Sequence, residues 1–416
     1  MRFFHISDLH LGKTLRGYDL LDDQAFILDS IVEVISQHKP DGLLIAGDIY
    51  DRAVPPVEAV QLFDHFLASA RRAGKAGMAI VAIPGNHDSG GRLGFGASLL
   101  AKVGLHIAAR ADAEPVVLQS SGGERCAIWA LPFLNQANAP WDDWARDARE
   151  EQHVRQAQNS QSADAVDESR ITGPRIRSQE EMLGLALGRI QPHLERNDRN
   201  IILAHCFAAG SKVSESETGF VGAAEQVDAG LFADFDYTAL GHLHSCQSPG
   251  PGVWYSGAPL AFGVAEGEEE RGYIEVDLEK EKCRVEFKPL SPKRRIRRIT
   301  GNFDELVERA VADPGREDFI EFQLLDDEAV LNAAERLKTF YPRLLAVRQR
   351  AFEASLGAES EGDEEVLSPE MRGGDSLEAL KADFCAFYKE LKDSEPSENE
   401  LALFEELAKE VADASK

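Results

Sequence analysis

Paired thiols are missing from this chain. Its five cysteines, Cys126, Cys206, Cys246, Cys283 and Cys385, lie far apart with no CxxC pair, which argues against a disulfide framework and against a thiolate zinc site. Long apolar runs are missing too. No stretch reaches the roughly 20 residues that span a bilayer. The N-terminus shows no basic segment leading into an apolar run and a small-residue cleavage site. No membrane contact is expected, and the expected compartment is the cytoplasm. There is no GxxxxGK[ST] loop, so any dependence on ATP has to come from another chain. Excess basic charge is also absent: 72 Asp and Glu face 45 Lys and Arg, a formal net charge of −27. Attraction of a polyanion by the whole surface is thereby excluded. A local basic site is not, because residues 351–416 alone hold 19 acidic against 6 basic side chains. One compact basic run, Lys293-Arg294-Arg295-Ile296-Arg297-Arg298, stands apart from that acidity.

What is present is a repeated pattern. The 416 residues, 43% of them hydrophobic, suffice for two or three domains. Short apolar runs each end in a polar cluster. Phe3–Ile6 leads to Asp8 and His10, and Gly42–Ala46 leads to Gly47-Asp48. Ala79–Ile83 leads to Pro84-Gly85-Asn86-His87-Asp88, Ile201–Ala204 to His205, and Tyr237–Leu240 to Gly241-His242-Leu243-His244. Unbroken apolar runs suit strands buried on both faces. Helical patterns separate the early runs. One covers Asp22–His38 with Phe26, Ile27, Ile31, Val34 and Ile35 at helical spacing; another is opened by Pro55-Pro56 and runs through Val60, Phe63 and Leu67. The alternation predicts an α/β layered domain, with ligands beyond the carboxyl ends of its strands. Residues 144–177 are polar and read as an inserted surface helix and loop. The expected organisation is a first domain over 1–291, a small α+β domain over 292–356, an acidic linker over 357–375 and a helical hairpin over 376–416.

The strand tips carry the chemistry. Residues i and i+2 of a strand point to one side, so Asp8 and His10 can converge. Taken singly, each tip is an ordinary strand end or turn. Five tips on one sheet edge, holding five of the 11 histidines, point to a built site. Carboxylates, imidazoles and an amide without thiolate suit Mn, Fe or Zn. Asp8, His10, Asp48, Asn86, His205, His242 and His244 are too many for one tetrahedral zinc. They fit two divalent ions about 3.5–4 Å apart with a bridging carboxylate, an arrangement that clamps phosphate and acidifies water. Phosphoester hydrolysis is the matching reaction. His87, next to Asn86, falls beside the ions, where it can protonate a leaving oxygen.

D-x-H at 8–10, G-D-x-x-D at 47–51, G-N-H-D at 85–88, the lone His205 and G-H-x-H at 241–244, in this order, resemble the calcineurin-like metallophosphoesterases. RFFHISDLHLGKTL, AGDIYDRAVPP and PGNHDS resemble, within that superfamily, the SbcD-type nuclease subunits, bacterial counterparts of the Mre-type nucleases. The likeness covers nearly the whole chain and is weakest across 144–200. It implies a four-layer α/β/β/α sandwich with a small α+β capping domain and a C-terminal helical hairpin. It implies that Asp8, His10 and His244 hold one Mn2+, that Asn86, His205 and His242 hold the other, that Asp48 bridges them, and that His87 is catalytic. Asp51, where archaeal and eukaryotic relatives tend to carry a second functional histidine, joins His87 as a catalytic candidate. Ala258, in Ser256-Gly257-Ala258-Pro259, replaces an expected hydroxyl residue.

The implied activity is Mn2+-dependent exonuclease and endonuclease cleavage of DNA at double-strand ends and hairpins, in repair and recombination close to the nucleoid. The implied partner is an SbcC-like ATPase, whose coiled-coil base would receive the terminal hairpin. The hairpin's stripes are Leu377, Leu380, Phe384, Phe387 and Leu391, then Leu401, Leu403, Phe404, Leu407 and Val411. A homodimer is expected through the helix near Pro56–Arg72, with Val60, Phe63 and Leu67 on one stripe and Leu62 and Phe66 on another. Lys293, Arg294, Arg295, Arg297 and Arg298 are expected to include contacts to DNA phosphates. Two other readings stay open: a small-molecule or cyclic-nucleotide phosphodiesterase sharing the metal site, and a non-catalytic scaffold that binds DNA ends.

Overall fold

The apolar runs become the inner strands of two six-stranded sheets. In the computed structural model, residues 1–351 are described apart from 113, 121, 142, 149–177, 196–197, 213–225 and 281, together with 401 and 404. Residues 1–351 form one unit and 352–416 a second. The expected linker over 357–375 lies outside the described residues. So do most of 144–177 and, save for two positions, the expected hairpin over 376–416.

In the first sheet, β1 (Arg2–Ile6), β2 (Gly42–Ala46), β3 (Ala79–Ile83) and β4 (Leu105–Ile107) run parallel. Between them lie α1 (Leu21–His38) and α2 (Val57–Ala73). The second sheet begins with β5 (Val116–Gln119) antiparallel to β6 (Arg125–Ala130). After α3 (Gln179–Ile190) come β7 (Arg199–His205) and β8 (Tyr237–Gly241), both parallel, and then β9 (Gln247–Gly250) and β10 (Val253–Tyr255). The chain then returns to the first sheet as β11 (Gly272–Leu278), antiparallel to β1, and β12 (Cys283–Pro289).

Three apolar cores give the layer order. Phe4, Ile6, Leu43, Ile45, Ile80 and Ala82 pack with Ile27, Ile31, Phe63 and Phe66 of α1 and α2. The alternate residues Phe3, Leu44, Val81 and Ile83 pack instead with Ile128, Ile201, Leu203 and Ala239 of the second sheet. On the far side of that sheet, Trp129, Ile202 and Leu240 meet Met182, Leu183 and Leu187 of α3. The two sheets and their helices thus form a four-layer α/β/β/α sandwich. Strands with apolar partners on both faces need no polar alternation, which is why their sequences read as unbroken runs. Each buried Leu, Ile or Phe contributes roughly 1.5–3 kcal/mol.

A fourth core belongs to β13 (Ile296–Gly301), α4 (Phe303–Ala310), β14 (Phe319–Leu324), α5 (Ala333–Lys338) and β15 (Leu344–Gln349). The three strands are parallel, so each helix is a crossover.

Two helix faces differ from the expectation. On α2 the buried stripe is Ala59, Phe63, Phe66 and Ala70, so Phe63 and Phe66 share one face, and Val60 is 44% exposed. The expected stripe is rotated by about one residue from the true repeat of four, three and four. On α1, Phe26 is 43% exposed, while Leu28 joins Ile27, Ile31 and Ile35 in the core. The basic run also differs from expectation. Lys293 and Arg294 pair with Asp22, Arg294 also meets Asp23 at 2.6 Å, and Arg297 meets Asp313 at 2.9 Å. Most of its charge is neutralised within the fold.

Candidate metal centre

The polar clusters meet at one open end of the sandwich, but they do not share one sheet edge as the sequence suggested. Asp8, His10, Asp48, Asn86 and His87 follow β1, β2 and β3 of the first sheet, whereas His205 ends β7 and His242 and His244 follow β8 of the second. The site is therefore built across the sandwich interface.

The backbone there is bent hard. Asp8, His10, Asp48 and His242 have φ of 54°, 42°, 48° and 108°, a region that costs a residue with a side chain about 1–3 kcal/mol. Main-chain bonds hold the bends: Asp8 N–H donates to Gly47 O at 3.0 Å and His10 N–H to Asp48 O at 2.9 Å. Gly47 supplies a φ of 93°, while Gly85 and Gly241 clear space. A Cβ on Gly85 would strike the Asp48 carboxylate, and one on Gly241 would strike the Ala46 carbonyl.

The donors gather as two sets around points that are not fully separate, since donor atoms of Asp8, Asp48 and His205 also lie within 4.8 Å of one another. In one, His10 Nε2 lies 3.1 Å from His244 Nε2, and donor atoms of Asp8, His10 and His244 all lie within 4.8 Å of one another. In the other, Asn86 Oδ1 is 2.9 Å from His205 Nε2 and 3.1 Å from His242 Nδ1. Asp48 Oδ2 stands between the sets, 3.7 Å from His10 Nε2 and 3.5 Å from His205 Nε2.

This arrangement asks for positive charge. His205 Nδ1 is 2.8 Å from the Ala46 carbonyl, which only accepts, so Nδ1 bears the proton. In its neutral form the ring turns an Nε2 lone pair toward Asn86 Oδ1 and Asp48 Oδ2, both acceptors, so either a proton or a cation has to lie between them. His244 Nδ1 lies 3.2 Å from the Glu266 carboxylate, which likewise leaves its Nε2 lone pair facing His10. His10 Nδ1 is buried without a hydrogen-bond partner. Facing lone pairs in a buried oxygen and nitrogen donor set fit divalent cations.

The titration behaviour agrees. Burial raises Asp8 to about 7, lowers His10 well below its usual value and lowers His242 to about 3. Burial works against His205 as well, but Asp48 and Asp8 outweigh it and lift the ring to about 9, so that a proton on Nε2 fills the place a cation would take. Burial likewise opposes Asp48 ionisation, and the His205, His10 and His87 rings overcome it, so that carboxyl stays ionised.

His87 sits at the rim, half-buried. Its N–H donates to Asp48 Oδ1 at 2.9 Å, and its Nδ1 lies 2.9 Å from the Asp51 carbonyl. Donor atoms of His10, Asp48 and His87 also fall within 4.8 Å. The Asp51 carboxylate binds Lys13 Nζ at 2.7 Å and stands 3.6 Å from His10 Nδ1. Ala258 contributes its N–H to His244 O at 3.0 Å, a bond that needs no hydroxyl side chain.

Two supporting carboxylates are not apparent from sequence. Asp88 accepts from Gly85 N–H at 2.9 Å, Tyr50 N–H at 2.9 Å and Ile49 N–H at 3.0 Å, tying the second and third strand tips together. Its only signal is its place at the end of G-N-H-D. Glu266 opens the acidic stretch Glu266-Gly267-Glu268-Glu269-Glu270, which reads as a solvated face, yet it is only 2% exposed.

Comparison with known proteins agrees with this construction. Residues 1–246 match the family model described as calcineurin-like phosphoesterase, and residues 292–371 match SbcD_C, described as type 5 capsule protein repressor C-terminal domain. The chain is 29% identical over 357 residues to the SbcD subunit of the nuclease SbcCD from Staphylococcus saprophyticus, covering 85% of this chain and 86% of that one. Among solved structures, it is similar to a dimetal phosphatase from Danio rerio, 13% identical with a TM-score of 0.38, over 70% of this chain and 97% of that one. It is also similar to a protein of Thermus thermophilus, 12% identical with a TM-score of 0.37, over 69% and 98% of the two chains. A sandwich with divalent-cation donors at its open end, followed by the second matched domain, places this chain in the calcineurin-like phosphoesterase family, in its SbcD branch.

Proposed function

We propose that the chain is the Mn2+-dependent nuclease subunit of an SbcCD-type complex, cutting DNA phosphodiesters at double-strand ends and hairpins in repair and recombination. The observation that carries this reading is the pair of donor sets joined by Asp48 at the open end of the sandwich. In this reading Asp8, His10 and His244 hold one ion, Asn86, His205 and His242 hold the other, and Asp48 serves both. Bound there, two divalent ions supply Lewis acidity toward a phosphate and an acidified water. The chain's own residues do the rest. His87 donates Nδ1–H to the Asp51 carbonyl, which leaves Nε2 to carry the proton that the departing oxygen needs. Asp51 thus acts by positioning: its carbonyl aims His87 and its carboxylate anchors Lys13. Oxygen and nitrogen donors without thiolate admit Mn2+, Fe2+ or Zn2+, and the choice of Mn2+ follows the resemblance to SbcD-type subunits.

The likeness to the SbcD subunit of a nuclease SbcCD over 85% of the chain supports the substrate class and an SbcC-like ATPase partner. We read 1–291 as the nuclease domain, 292–356 as a capping domain, and the apolar stripes after Glu370 as the ATPase contact. No described helix is long and apolar enough to cross a membrane, and the proposed location is the cytoplasm, at the nucleoid. A homodimer through α2 is supported by Val54, Val57 and Val60, whose exposures are 62%, 65% and 44%.

The test uses the purified full chain with Mn2+ on linear duplex DNA, cyclic nucleotides and a chromogenic diester. Cleavage of the duplex is expected. Turnover of the small substrates alone identifies a small-molecule phosphodiesterase, and DNA binding without cleavage identifies a scaffold. Deleting residues after Glu370 is expected to abolish co-purification with the ATPase.

A further inference from the structure

The basic run is the expected DNA contact, but Lys293, Arg294 and Arg297 are paired with Asp22, Asp23, Asp313 and Asp318. Its last member, Arg298, belongs instead to a cluster with surplus positive charge. Glu321, on the central strand β14, is 1% exposed and carries three guanidinium groups. Arg298 Nε is 3.0 Å from it, Arg348 Nε 3.4 Å and Arg16 Nη2 4.0 Å. Among the described residues, the other carboxylate in the cluster is Glu268, 3.8 Å from Arg298 and itself largely solvated. Three cations therefore face two carboxylates. The Arg16 and Arg348 side chains stay 52% and 49% exposed.

Arg16 reaches this place by a built route. Thr14–Leu15 and Tyr18–Asp19 form a two-residue antiparallel ribbon. Its turn, Arg16-Gly17, has φ of 47° and 86°, the pattern of a type I′ turn, which strongly favours residues such as Asn and Gly. Arginine holds the first turn position at a cost in backbone strain. The ribbon is docked on the third sheet, with Tyr18 O–H donating to Pro342 O at 3.0 Å. At its base, Lys13 sits on Asp51 beside the metal donors. Lys13 and Arg16 are three residues apart, so their Cα atoms lie at most about 11 Å from each other. Along the axis of duplex DNA, that span corresponds to roughly three base pairs.

We propose that Arg16, Arg348 and Arg298, gathered on Glu321, form a phosphate-docking site for the DNA strand that enters the metal centre, and that the ribbon 13–19 sets the distance between the two. Glu321 acts as the buried hub that keeps three like charges together. The surplus positive charge and the exposed guanidinium edges select a polyanion backbone rather than a base. The inference deepens the nuclease reading and rests on it.

The test measures duplex binding by the full chain in EDTA, so that no cutting occurs, across a series of salt concentrations. Each lost phosphate contact lowers the slope of log K against log salt by about 0.9. The double variant Arg16→Gln/Arg348→Gln keeps Arg298 on Glu321 and is expected to lower the slope by about 2 with little change in melting temperature. Lys293→Gln, from a pair already neutralised, is the comparison and is expected to leave the slope unchanged. Glu321→Gln, which removes the charge that gathers the guanidiniums, is expected to flatten the slope, and an unchanged slope there removes the hub role. Wild-type binding with an unchanged slope in the double variant overturns the docking site and leaves the nuclease reading standing. A wild type with no salt-dependent duplex binding overturns both.

Discussion

Replacing Glu266 tests the metal centre away from its donors. One carboxylate oxygen lies 3.2 Å from His244 Nδ1, and the other accepts from Phe262 N–H at 2.9 Å. Arg271 braces the same turn through the main-chain carbonyl of Glu266, at 3.0 Å, a bond that a side-chain change leaves in place; its ion pair with the Glu266 carboxylate at 3.9 Å is lost, and the one with Glu269 at 3.4 Å remains. Glu266→Leu removes the acceptor that fixes the His244 tautomer, and the ring loses the preference that points its Nε2 lone pair at His10. Losing such a partner costs about 10–100-fold in metal affinity, or about 1.4–2.7 kcal/mol. The stranded Phe262 N–H costs about 1–3 kcal/mol of fold stability. Glu266→Gln keeps one carbonyl oxygen, enough for either donor but not both, so its loss is expected near the 10-fold end. The assay is Mn2+ titration by calorimetry, with bound metal counted after dialysis and melting followed with and without Mn2+. Glu266→Leu should keep the second ion, lose the first, and show a smaller Mn2+-induced rise in melting temperature. Retention of both ions at wild-type affinity in Glu266→Leu would refute the argument, as would equal losses in Gln and Leu.

His87→Ala is expected to abolish cleavage while both metals stay bound, and Asp48→Ala to lose both; a metal count on the dialysed variants decides, and an empty His87→Ala would make His87 a ligand. Val57→Asp with Val60→Asp is expected to turn a dimer into a monomer by light scattering, and a monomeric wild type at micromolar concentration would remove the dimer. His5 is wholly buried, its ring lying 2.9 Å from Tyr237 Oη and 3.1 Å from Leu240 O, and burial lowers it to about 3. Its unfolded value is near 6.5, so below that pH the unfolded chain takes up a proton the native chain refuses. Stability is expected to fall by about 1.4 kcal/mol between pH 7.5 and pH 5.5. His5→Gln lacks this contribution, so denaturant melts showing the same pH dependence in both proteins would disprove the assignment.

Much of the centre was legible because its signals are local. A strand buried on both faces writes itself as an apolar run, and the donors follow such runs directly, as in Phe3–Ile6 before Asp8 or Tyr237–Gly241 before His242. Sheet membership was less visible. Nothing between β3 and β7 announces that the second set of strands starts a new sheet, because β6 is a short segment, Arg125–Ala130, whose parallel partner is more than 70 positions away. Helix faces failed for a similar reason. Val60 and Ala59 differ by one position, and only the packed sheet decides that the small Ala59 faces inward.

The supporting residues were illegible for a different physical reason. Asp88, Glu266 and Glu321 are carboxylates that owe their roles to the groups folded around them, and a carboxylate normally faces water. Burying one is expensive unless every oxygen finds a donor. Here each does: Asp88 takes three backbone N–H groups, Glu266 a histidine ring and a backbone N–H, and Glu321 three guanidiniums. Apart from Gly85 and Phe262, these donors lie well away along the chain, so sequence spacing carries almost no trace of them. A buried acid of this kind also sets direction. Asp88 ties two strand tips, Glu266 aims a ring at the metal site, and Glu321 collects arginines at the far end of the ribbon that starts beside it. Their loss is therefore expected to change geometry before it changes chemistry, which is why metal count and salt slope test these roles more sharply than turnover does.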